Sequence, residues 1–250
     1  MAACALYELD GHVATITYNR PEALNAVNRQ LRDDLNDSFL RFRDDEDAWV
    51  AIVTGAGRAF CVGADLKDGA GSTGTFAGSF WEKPTINSFE SGLELFKPVI
   101  AAVNGYCLGY GLTLVTWCDF VLASERAEFG FPEVKLGGPA IVGAVRLPLR
   151  INWQDAMELL LIGDRVGAER AREMGLVGRV VAHDALMDEA RALAARLVEG
   201  APLAQRAMKE VAMRTRILPS VEAIRFGETM RLAANATDDA RRGQPPWTGR

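Results

Sequence analysis

The chain of 250 residues is long enough to form one large domain or two small ones with a sizeable core. Its content of 49% hydrophobic and 24% charged residues is ordinary for a globular enzyme, and its net charge of −5 argues against a nucleic-acid partner, which needs a basic face. No apolar run approaches the roughly 20 residues of a membrane span, and the N-terminus lacks the basic and apolar regions of a secretory signal.

Four cysteines are spread along the chain without the C-x-x-C spacing of zinc or redox motifs: Cys4, Cys61, Cys107 and Cys118. Each lies among apolar neighbours, as small core residues do. Because the chain has only two histidines, we do not expect a zinc site or a Cys–His nucleophile. This cysteine usage favours a reducing, cytoplasmic compartment.

An antiparallel hairpin is predicted at the N-terminus, with strands at Leu6–Leu9 and Val13–Tyr18 on either side of an Asp-Gly turn. Asn28 is a good N-cap for the helix that follows. The apolar side chains that share one face of that helix are Leu31, Leu35, Phe39 and Phe42. A buried strand is predicted next, at Trp49–Thr54.

The segment from Asp68 to about Pro84 is rich in Gly, Ser and Thr and is predicted to be a loop. Residues 69–74 match the pattern G-x-G-x-x-G, but a dinucleotide site would need a strand before the pattern and a helix after it. Neither is predicted, so we interpret the pattern as loop sequence. A helix is predicted from about Asn87 to Phe96.

The stretch from Lys97 to Asp119 combines a strand, a glycine-rich turn and the start of a helix. Val99–Val103 has the composition of a buried strand, and Leu112 to Trp117 predicts a buried helix. Between them, two glycines flank Tyr110. The N–H groups of such a turn favour negative charge, so the turn is either an anion site or simply a tight connection.

Glu133 follows a proline in a turn between two apolar stretches. A lone carboxylate there is a solvated turn residue, an ion-pair partner or a functional group. Short strands are predicted on either side of this region, at Phe120–Ala123 and Leu176–Val181. Helical patterns dominate from Asn152, and only helices are predicted from Ala185 to about Ala236. The order of elements therefore predicts an α/β core followed by a helical module.

Five separated motifs, in order along nearly the whole chain, resemble the enoyl-CoA hydratase/isomerase (crotonase) superfamily. They are RPEALNAVN from Arg20, RAFCVGADL from Arg58, KPVIAAVNGYCLGYG from Lys97, CDFVLASERAEFGFPEVKLG from Cys118 and ATDDARRG from Ala236. Several motifs in the right order are far more specific than any single glycine pattern.

The resemblance implies an α/β fold built as a spiral of β-β-α units and followed by helices used for trimerisation. Residues 1–195 would form the core that binds the acyl-CoA, and residues 196–250 the trimerisation region. The implied assembly is a homotrimer, often paired into a hexamer. The implied substrate is a coenzyme A thioester, and no metal, nucleotide or prosthetic group is implied.

In this family two backbone N–H groups hold the thioester carbonyl oxygen, and the matching positions here are Ala64 and Tyr110. An enolate formed next to the thioester would be stabilised by these donors, each typically worth about 3–4 kcal/mol. The resemblance implies Glu133 as the acid/base. The implied substrate-binding residues are Ala23 and Asn25 near the adenine, Ala64, Asp65, Leu66 and Lys67 along the pantetheine and thioester, and Gly109 and Tyr110 in the glycine turn.

Hydratases of this family use a second glutamate, and its position is occupied here by Thr113. A threonine hydroxyl holds its proton too tightly to act as a general base near neutral pH, although it can orient a water. One carboxylate and an oxyanion hole suffice to move a proton between carbons, whereas hydration also requires an activated water. We therefore expect double-bond isomerisation, with Glu133 as the proton carrier.

Three alternatives stay open. Hydration would be restored if Asp68, Glu90 or Glu94 supplied the missing acid. Decarboxylation or C–C bond cleavage would use the same enolate. A non-catalytic acyl-CoA binder would account for the loss of the first glutamate. The segment after Glu133 also lacks the glycine-rich run of the common pattern, so a different acyl pocket is expected.

Overall fold

Two β-sheets form the framework of the computed structural model, which describes residues 3–67, 88, 89 and 92–241. The strands in these residues are β1 (Ala5–Asp10), β2 (Val13–Tyr18), β3 (Val50–Gly55), β4 (Ala59–Cys61), β5 (Val99–Val103), β6 (Tyr106–Leu108), β7 (Phe120–Ser124), β8 (Glu128–Gly130), β9 (Val166–Gly167) and β10 (Arg179–Val181). The larger sheet has the order β1-β2-β3-β5-β7-β10, and the smaller sheet has the order β4-β6-β8-β9.

The α-helices of the described residues are α1 (Arg29–Asp44), α2 (Tyr110–Val115), α3 (Ile141–Arg146), α4 (Trp153–Met157), α5 (Ala168–Glu173), α6 (Leu186–Val198), α7 (Pro202–Arg214), α8 (Ser220–Asn235) and α9 (Asp238–Arg241). A π-helical segment at Glu158–Ile162 continues α4, and Pro132–Leu136 forms a 3-10 turn. None of the helices described here combines the length and the apolar character that crossing a bilayer requires.

From β3 to β8, successive strands alternate between the two sheets. β3, β5 and β7 are parallel neighbours in the larger sheet, and each is followed by a short strand, β4, β6 or β8, in the smaller one. The short strands are also parallel neighbours, and α2 and α3 follow β6 and β8. The chain therefore winds as a spiral, which confirms the predicted α/β fold class.

Helices cover both faces of the larger sheet, as expected for short, wholly apolar parallel strands. Along β3, Ala51 and Val53 face one cluster and Val50 and Ile52 face the other, because successive side chains of a strand point to opposite sides. The first cluster contains the predicted apolar face of α1, and the second contains the inner face of α6. The α1 N-cap is also confirmed, since Asn28 Oδ1 accepts the Leu31 N–H at 2.8 Å.

The C-terminal helices α7 and α8 bury no side chain completely. Lys209 of α7 ties them to the core, because its Nζ donates to the Lys97 carbonyl at 2.8 Å and to Asp119 Oδ2 at 2.7 Å. Large apolar side chains of this region remain exposed, among them Met208, Ile217, Val221, Ile224 and Leu232. The predicted division at residue 195 falls inside α6 and stays a prediction.

One predicted element is wrong and several were missed. Residues 93–96, predicted as the end of a helix, have no regular secondary structure. Leu93 and Leu95 are buried while Glu94 is exposed, an alternation typical of extended chain. The strands β6, β8 and β9 were not predicted, because two or three residues are too short to show a period. The predicted loop at residues 68–84, with its glycine pattern, lies outside the described residues.

Candidate active site

The predicted adenine-side segment is a turn held by its own polar side chain. Asn25 is fully buried and has a φ of +58°, a conformation that asparagine tolerates better than most residues. Its Oδ1 accepts the Arg20 N–H at 2.8 Å, and its Nδ2 donates to the carbonyls of Ala56 and Ala59 at 3.0 and 2.8 Å. The Asn25 side chain therefore shapes the turn from inside, and the half-buried Ala23 belongs to the same turn.

Arg20 links this turn to the GADL segment. Its Nη1 donates to Asp65 Oδ2 at 3.1 Å and to the Ala26 carbonyl at 2.5 Å. The Asp65 carboxylate, predicted as a substrate contact, is thus half of a mostly buried ion pair with side-chain exposures of 17% and 15%. Leu66 and Lys67, which follow it, are exposed.

The backbone around Ala64 is fixed by a parallel bridge to Val27. The Val27 N–H donates to the Gly63 carbonyl at 2.8 Å, and the Asp65 N–H donates to the Val27 carbonyl at 3.0 Å. Since these bonds use the residues on either side of Ala64, the Ala64 N–H points away from Val27.

The GADL segment meets the glycine turn because β4 and β6 are parallel neighbours and end at the same edge of the smaller sheet. Gly63 has a φ of +103°, and a Cβ placed on it would lie 3.7 Å from both Gly109 Cα and the Tyr110 nitrogen. The two predicted oxyanion residues, Ala64 and Tyr110, therefore belong to backbone segments in direct contact.

Glu133 follows β8, the next strand of the smaller sheet, and lies at the same edge as the glycine turn. The Gly109 N–H donates to the Gly130 carbonyl at 2.9 Å, which joins the glycine turn to the end of β8. Gly109 has a φ of +54°, and a Cβ there would lie 2.7 Å from Glu133 Oε1. The sequence-predicted residues Ala64, Gly109, Tyr110 and Glu133 thus lie on three neighbouring strand ends.

No cationic side chain among residues 3–67, 88, 89 and 92–240 pairs with the Glu133 carboxylate. Its Oε2 is buried and makes no hydrogen bond with any residue that the structure describes. Burial raises the pKa of the carboxyl group above that of an ordinary glutamate, and the backbone N–H of Glu133 opposes the rise. A carboxylate in this state can take up and return a proton nearer to neutral pH than an exposed one.

Two glycines to which the sequence analysis gave no role at the site pack closely against Phe131 and the 3-10 turn that follows it, Pro132–Leu136, which contains Glu133 and is called the Glu133 turn. A Cβ on Gly143 of α3 would lie 2.6 Å from Phe131 Cζ. Gly163, with a φ of +73°, follows the π-helical segment, and a Cβ there would lie 2.6 Å from Val134 Cγ1. Lys135 of the turn also pairs with Asp164. An isolated glycine inside or after a helical pattern was the available sequence signal.

Thr113 is 7% exposed and lies one helical turn after Tyr110. Its N–H donates to the Gly109 carbonyl at 2.9 Å, and its hydroxyl forms no hydrogen bond with the described residues. Of the three acids considered as replacements for a second glutamate, Glu94 is directed to Arg214 of α7 at 2.9 Å. Asp68 and Glu90 lie outside the described residues.

An open apolar groove of about 490 Å³ runs beside the Glu133 turn. It begins at Val134 and Gly138, and the Gly138 N–H donates to the Glu133 carbonyl at 2.9 Å. Its walls include Ile141, Ala144, Met157, Leu160 and Leu161. A surface of this kind suits an apolar group better than a charged one.

The spiral of paired strands matches crystal structures of enoyl-CoA hydratase/isomerase enzymes, so the fold is that of the crotonase class of α/β enzymes. Residues 8–248 match the family model described as Enoyl-CoA hydratase/isomerase, and the chain belongs to this family. The resemblance seen in the sequence motifs is therefore confirmed.

Related proteins carry hydratase and dehydratase names. The chain is 36% identical to (E)-benzylidenesuccinyl-CoA hydratase of Thauera aromatica, over 94% of this chain and 92% of that protein. It is 41% identical to carnitinyl-CoA dehydratase of Escherichia coli K12, over 87% of this chain and 83% of that protein. A crystal structure of enoyl-CoA hydratase from Mycobacterium tuberculosis H37Rv superposes with a TM-score of 0.87, at 35% identity and over 100% of both chains.

Proposed function

We propose that this enoyl-CoA hydratase/isomerase family enzyme moves a proton along the acyl chain of a coenzyme A thioester, favouring double-bond isomerisation. Glu133 is the acid/base, and the N–H groups of Ala64 and Tyr110 hold the thioester oxygen. The observation that carries the proposal is the half-buried Glu133 carboxylate beside Gly109, whose Oε2 has no hydrogen-bond partner among the described residues, combined with Thr113 in place of a second acid.

In the proposed reaction Glu133 removes a proton from C2 of a 3-enoyl-CoA. The electron pair delocalises towards the thioester oxygen, where two N–H groups would stabilise the developing charge by several kcal/mol in total. Glu133 then returns the same proton to C4, and the double bond moves to C2–C3. One carboxyl group is sufficient because the same group removes the proton and returns it. Glu133 is therefore ready for the next cycle.

A second candidate is hydration or dehydration, because the two relatives compared above carry those names. Here the hydroxyl of Thr113 would orient the water, and Glu133 would supply or remove the proton. Thr113→Glu should confer or increase hydratase activity. No change would mean that the site differs from a hydratase by more than one residue.

A panel of esters tests the proposal: a 3-enoyl-CoA for isomerisation, a 2-enoyl-CoA for hydration and a malonyl-type CoA for decarboxylation. We expect isomerisation to be the fastest reaction. Rapid hydration of the 2-enoyl ester would favour the second candidate.

The Glu133→Gln variant tests whether the protein is an enzyme or a non-catalytic acyl-CoA binder. The variant should bind a saturated acyl-CoA normally in calorimetry and lose turnover by about 100-fold or more. Unchanged turnover would overturn the role of Glu133. The proposed reaction needs no bound cofactor, since coenzyme A is part of the substrate.

We further propose that copies of the chain form a trimer, or a hexamer of paired trimers. The support is the row of exposed apolar residues on α7 and α8, which bury no side chain within one chain. Light scattering of the purified protein tests this assembly. The four free cysteines are consistent with the proposed cytoplasmic location.

A further inference from the structure

Cys61 lies beneath the point where the GADL segment and the glycine turn meet. It is the last residue of β4 and is fully buried. The Gly63 N–H donates to its sulfur at 3.4 Å. Gly111 packs against the same sulfur, since a Cβ placed on Gly111 would lie 3.2 Å from it. Gly63 directly precedes Ala64, and Gly111 directly follows Tyr110. One sulfur atom therefore contacts the neighbours of both proposed oxyanion residues.

The packing around Cys61 leaves the two segments little freedom. A Cβ on Gly111 would lie 2.7 Å from the Cys61 carbonyl oxygen and 2.8 Å from Cys61 Cβ. The first turn of α2 thus rests directly on the end of β4. A change at Cys61 would shift the peptide groups before Ala64 and after Tyr110 relative to each other.

The Cys61 thiol acts as a neutral acceptor. Burial raises its pKa to about 12, and the nearby backbone N–H groups of Gly63 and Gly111 oppose the rise without cancelling it. A thiol in this state is neither a nucleophile nor a proton carrier at neutral pH.

We propose that Cys61 is a positioning residue for the oxyanion hole, holding the Ala64 and Tyr110 N–H groups at a separation that fits one thioester oxygen. This inference rests on the proposed function, because it gives those two N–H groups their role. It assigns to Cys61 a function beyond filling the core, and the hydrogen-bond acceptor is the part of the side chain that matters.

The chain offers a matched control. Cys107 of β6 is also fully buried and is the register partner of Cys61. No hydrogen bond to its sulfur is found among the residues that the structure describes, and burial is the largest cause of its raised pKa. Cys107→Ala therefore removes the same atoms as Cys61→Ala without removing an acceptor from a backbone N–H group.

We expect Cys61→Ala to lower kcat by about 10- to 100-fold, since misplacing a donor costs less than deleting one, and to change KM by less than about 3-fold. Cys61→Ser should recover kcat to within about 3-fold of wild type, because its hydroxyl can accept the Gly63 N–H. Cys107→Ala should stay within about 3-fold of wild type. An equal loss in the two alanine variants would overturn the proposal.

A second measurement does not depend on turnover. Infrared spectroscopy of bound butyryl-CoA, labelled with ¹³C at the thioester carbonyl, reports the hydrogen bonds to that oxygen. Wild type, Cys61→Ser and Cys107→Ala should shift the carbonyl stretch to lower frequency, and Cys61→Ala should lose most of that shift. A full shift in Cys61→Ala would overturn the positioning role alone. No shift in wild type would overturn the oxyanion hole itself.

If Cys61→Ala does not fold, amide hydrogen exchange in the wild-type protein keeps the inference testable. The Gly63 N–H group should exchange slowly, because it donates to a buried sulfur. Exchange of this amide at the rate of an open loop would overturn the proposal.

Discussion

At the edge where β4, β6 and β8 end, backbone groups approach so closely that a Cβ at Gly109 or Gly111 would overlap its neighbours. At the C-terminus, by contrast, α7 and α8 bury no side chain completely and expose several large apolar ones. In the first region, segments distant in sequence are packed in direct backbone contact. The second makes polar contacts with the core through Lys209 and has exposed apolar side chains.

This difference indicates where the molecule is sensitive to substitution. Chemistry that depends on backbone N–H groups needs rigid, closely spaced segments, and steric fit supplies that rigidity. A surface that associates with other copies needs apolar area, and it tolerates change at most single positions.

The largest expected effect is that of Gly109→Ala. Gly109 has a φ of +54°, and the new Cβ would lie 2.7 Å from Glu133 Oε1. The substitution should cost about 1–2 kcal/mol of stability through the backbone alone. It should also displace the carboxylate, so that kcat falls by about 100-fold. Steady-state kinetics and thermal unfolding measure the two effects.

Gly11→Ala is the matched control for that prediction. Gly11 has the same φ of +54°, but no atom lies within 4 Å of the position of its Cβ. We expect a similar loss of stability without a loss of activity. If the two variants lost activity equally, the contact between Gly109 and Glu133 would have no catalytic importance.

A smaller effect is expected from the pH dependence of Glu133. Because burial raises the pKa of its carboxyl group, kcat/KM should fall on the acid side with a pKa above the ordinary value of about 4.3. A pH–rate profile with the 3-enoyl-CoA measures this limb. An acid limb at or below the ordinary value would contradict the buried state of the carboxylate.

The same raised pKa has a consequence for stability. The folded state favours the protonated form of the Glu133 carboxyl group. This group therefore stabilises the folded state at low pH, and the contribution is lost as the pH rises through the folded-state pKa. Glu133→Gln should therefore melt at a higher temperature than wild type near neutral pH, and the gap should close as the pH is lowered. Glu199→Gln, at an exposed position, should show no such gap.

The smallest effect on catalysis is expected at the attachment of the C-terminal helices. Lys209→Met removes the donor to the Lys97 carbonyl and to Asp119, at a cost of about 1–2 kcal/mol of stability. Turnover per active site should change little, whereas the C-terminal helices should become more sensitive to proteolysis. Arg231→Met removes an exposed pair with Glu228 and should change neither property. A large loss of kcat in Lys209→Met would show that α7 also supports the catalytic edge.

Local patterns were sufficient for the elements that are long or carry a distinct signal. The N-terminal hairpin, the capped helix α1 and the strand β5 were predicted within a residue or two. The side chains of the hairpin and of α1 repeat every two or 3.6 residues, and β5 is a continuous apolar run, so burial can be inferred without knowing the neighbours. The helix predicted to end at Phe96 failed where this periodicity was short and ambiguous.

By itself, the sequence determined the family, the α/β spiral and the identity of the residues at the candidate site, including Thr113 at a position where the family's hydratases have glutamate. Only the tertiary structure decided how Ala64, Gly109 and Glu133 meet, that Asn25 holds its own turn, and that the Cys61 sulfur contacts both Gly63 and Gly111. The physical reason is that these contacts join segments far apart in sequence through strands of three residues, which carry no periodic signal of their own.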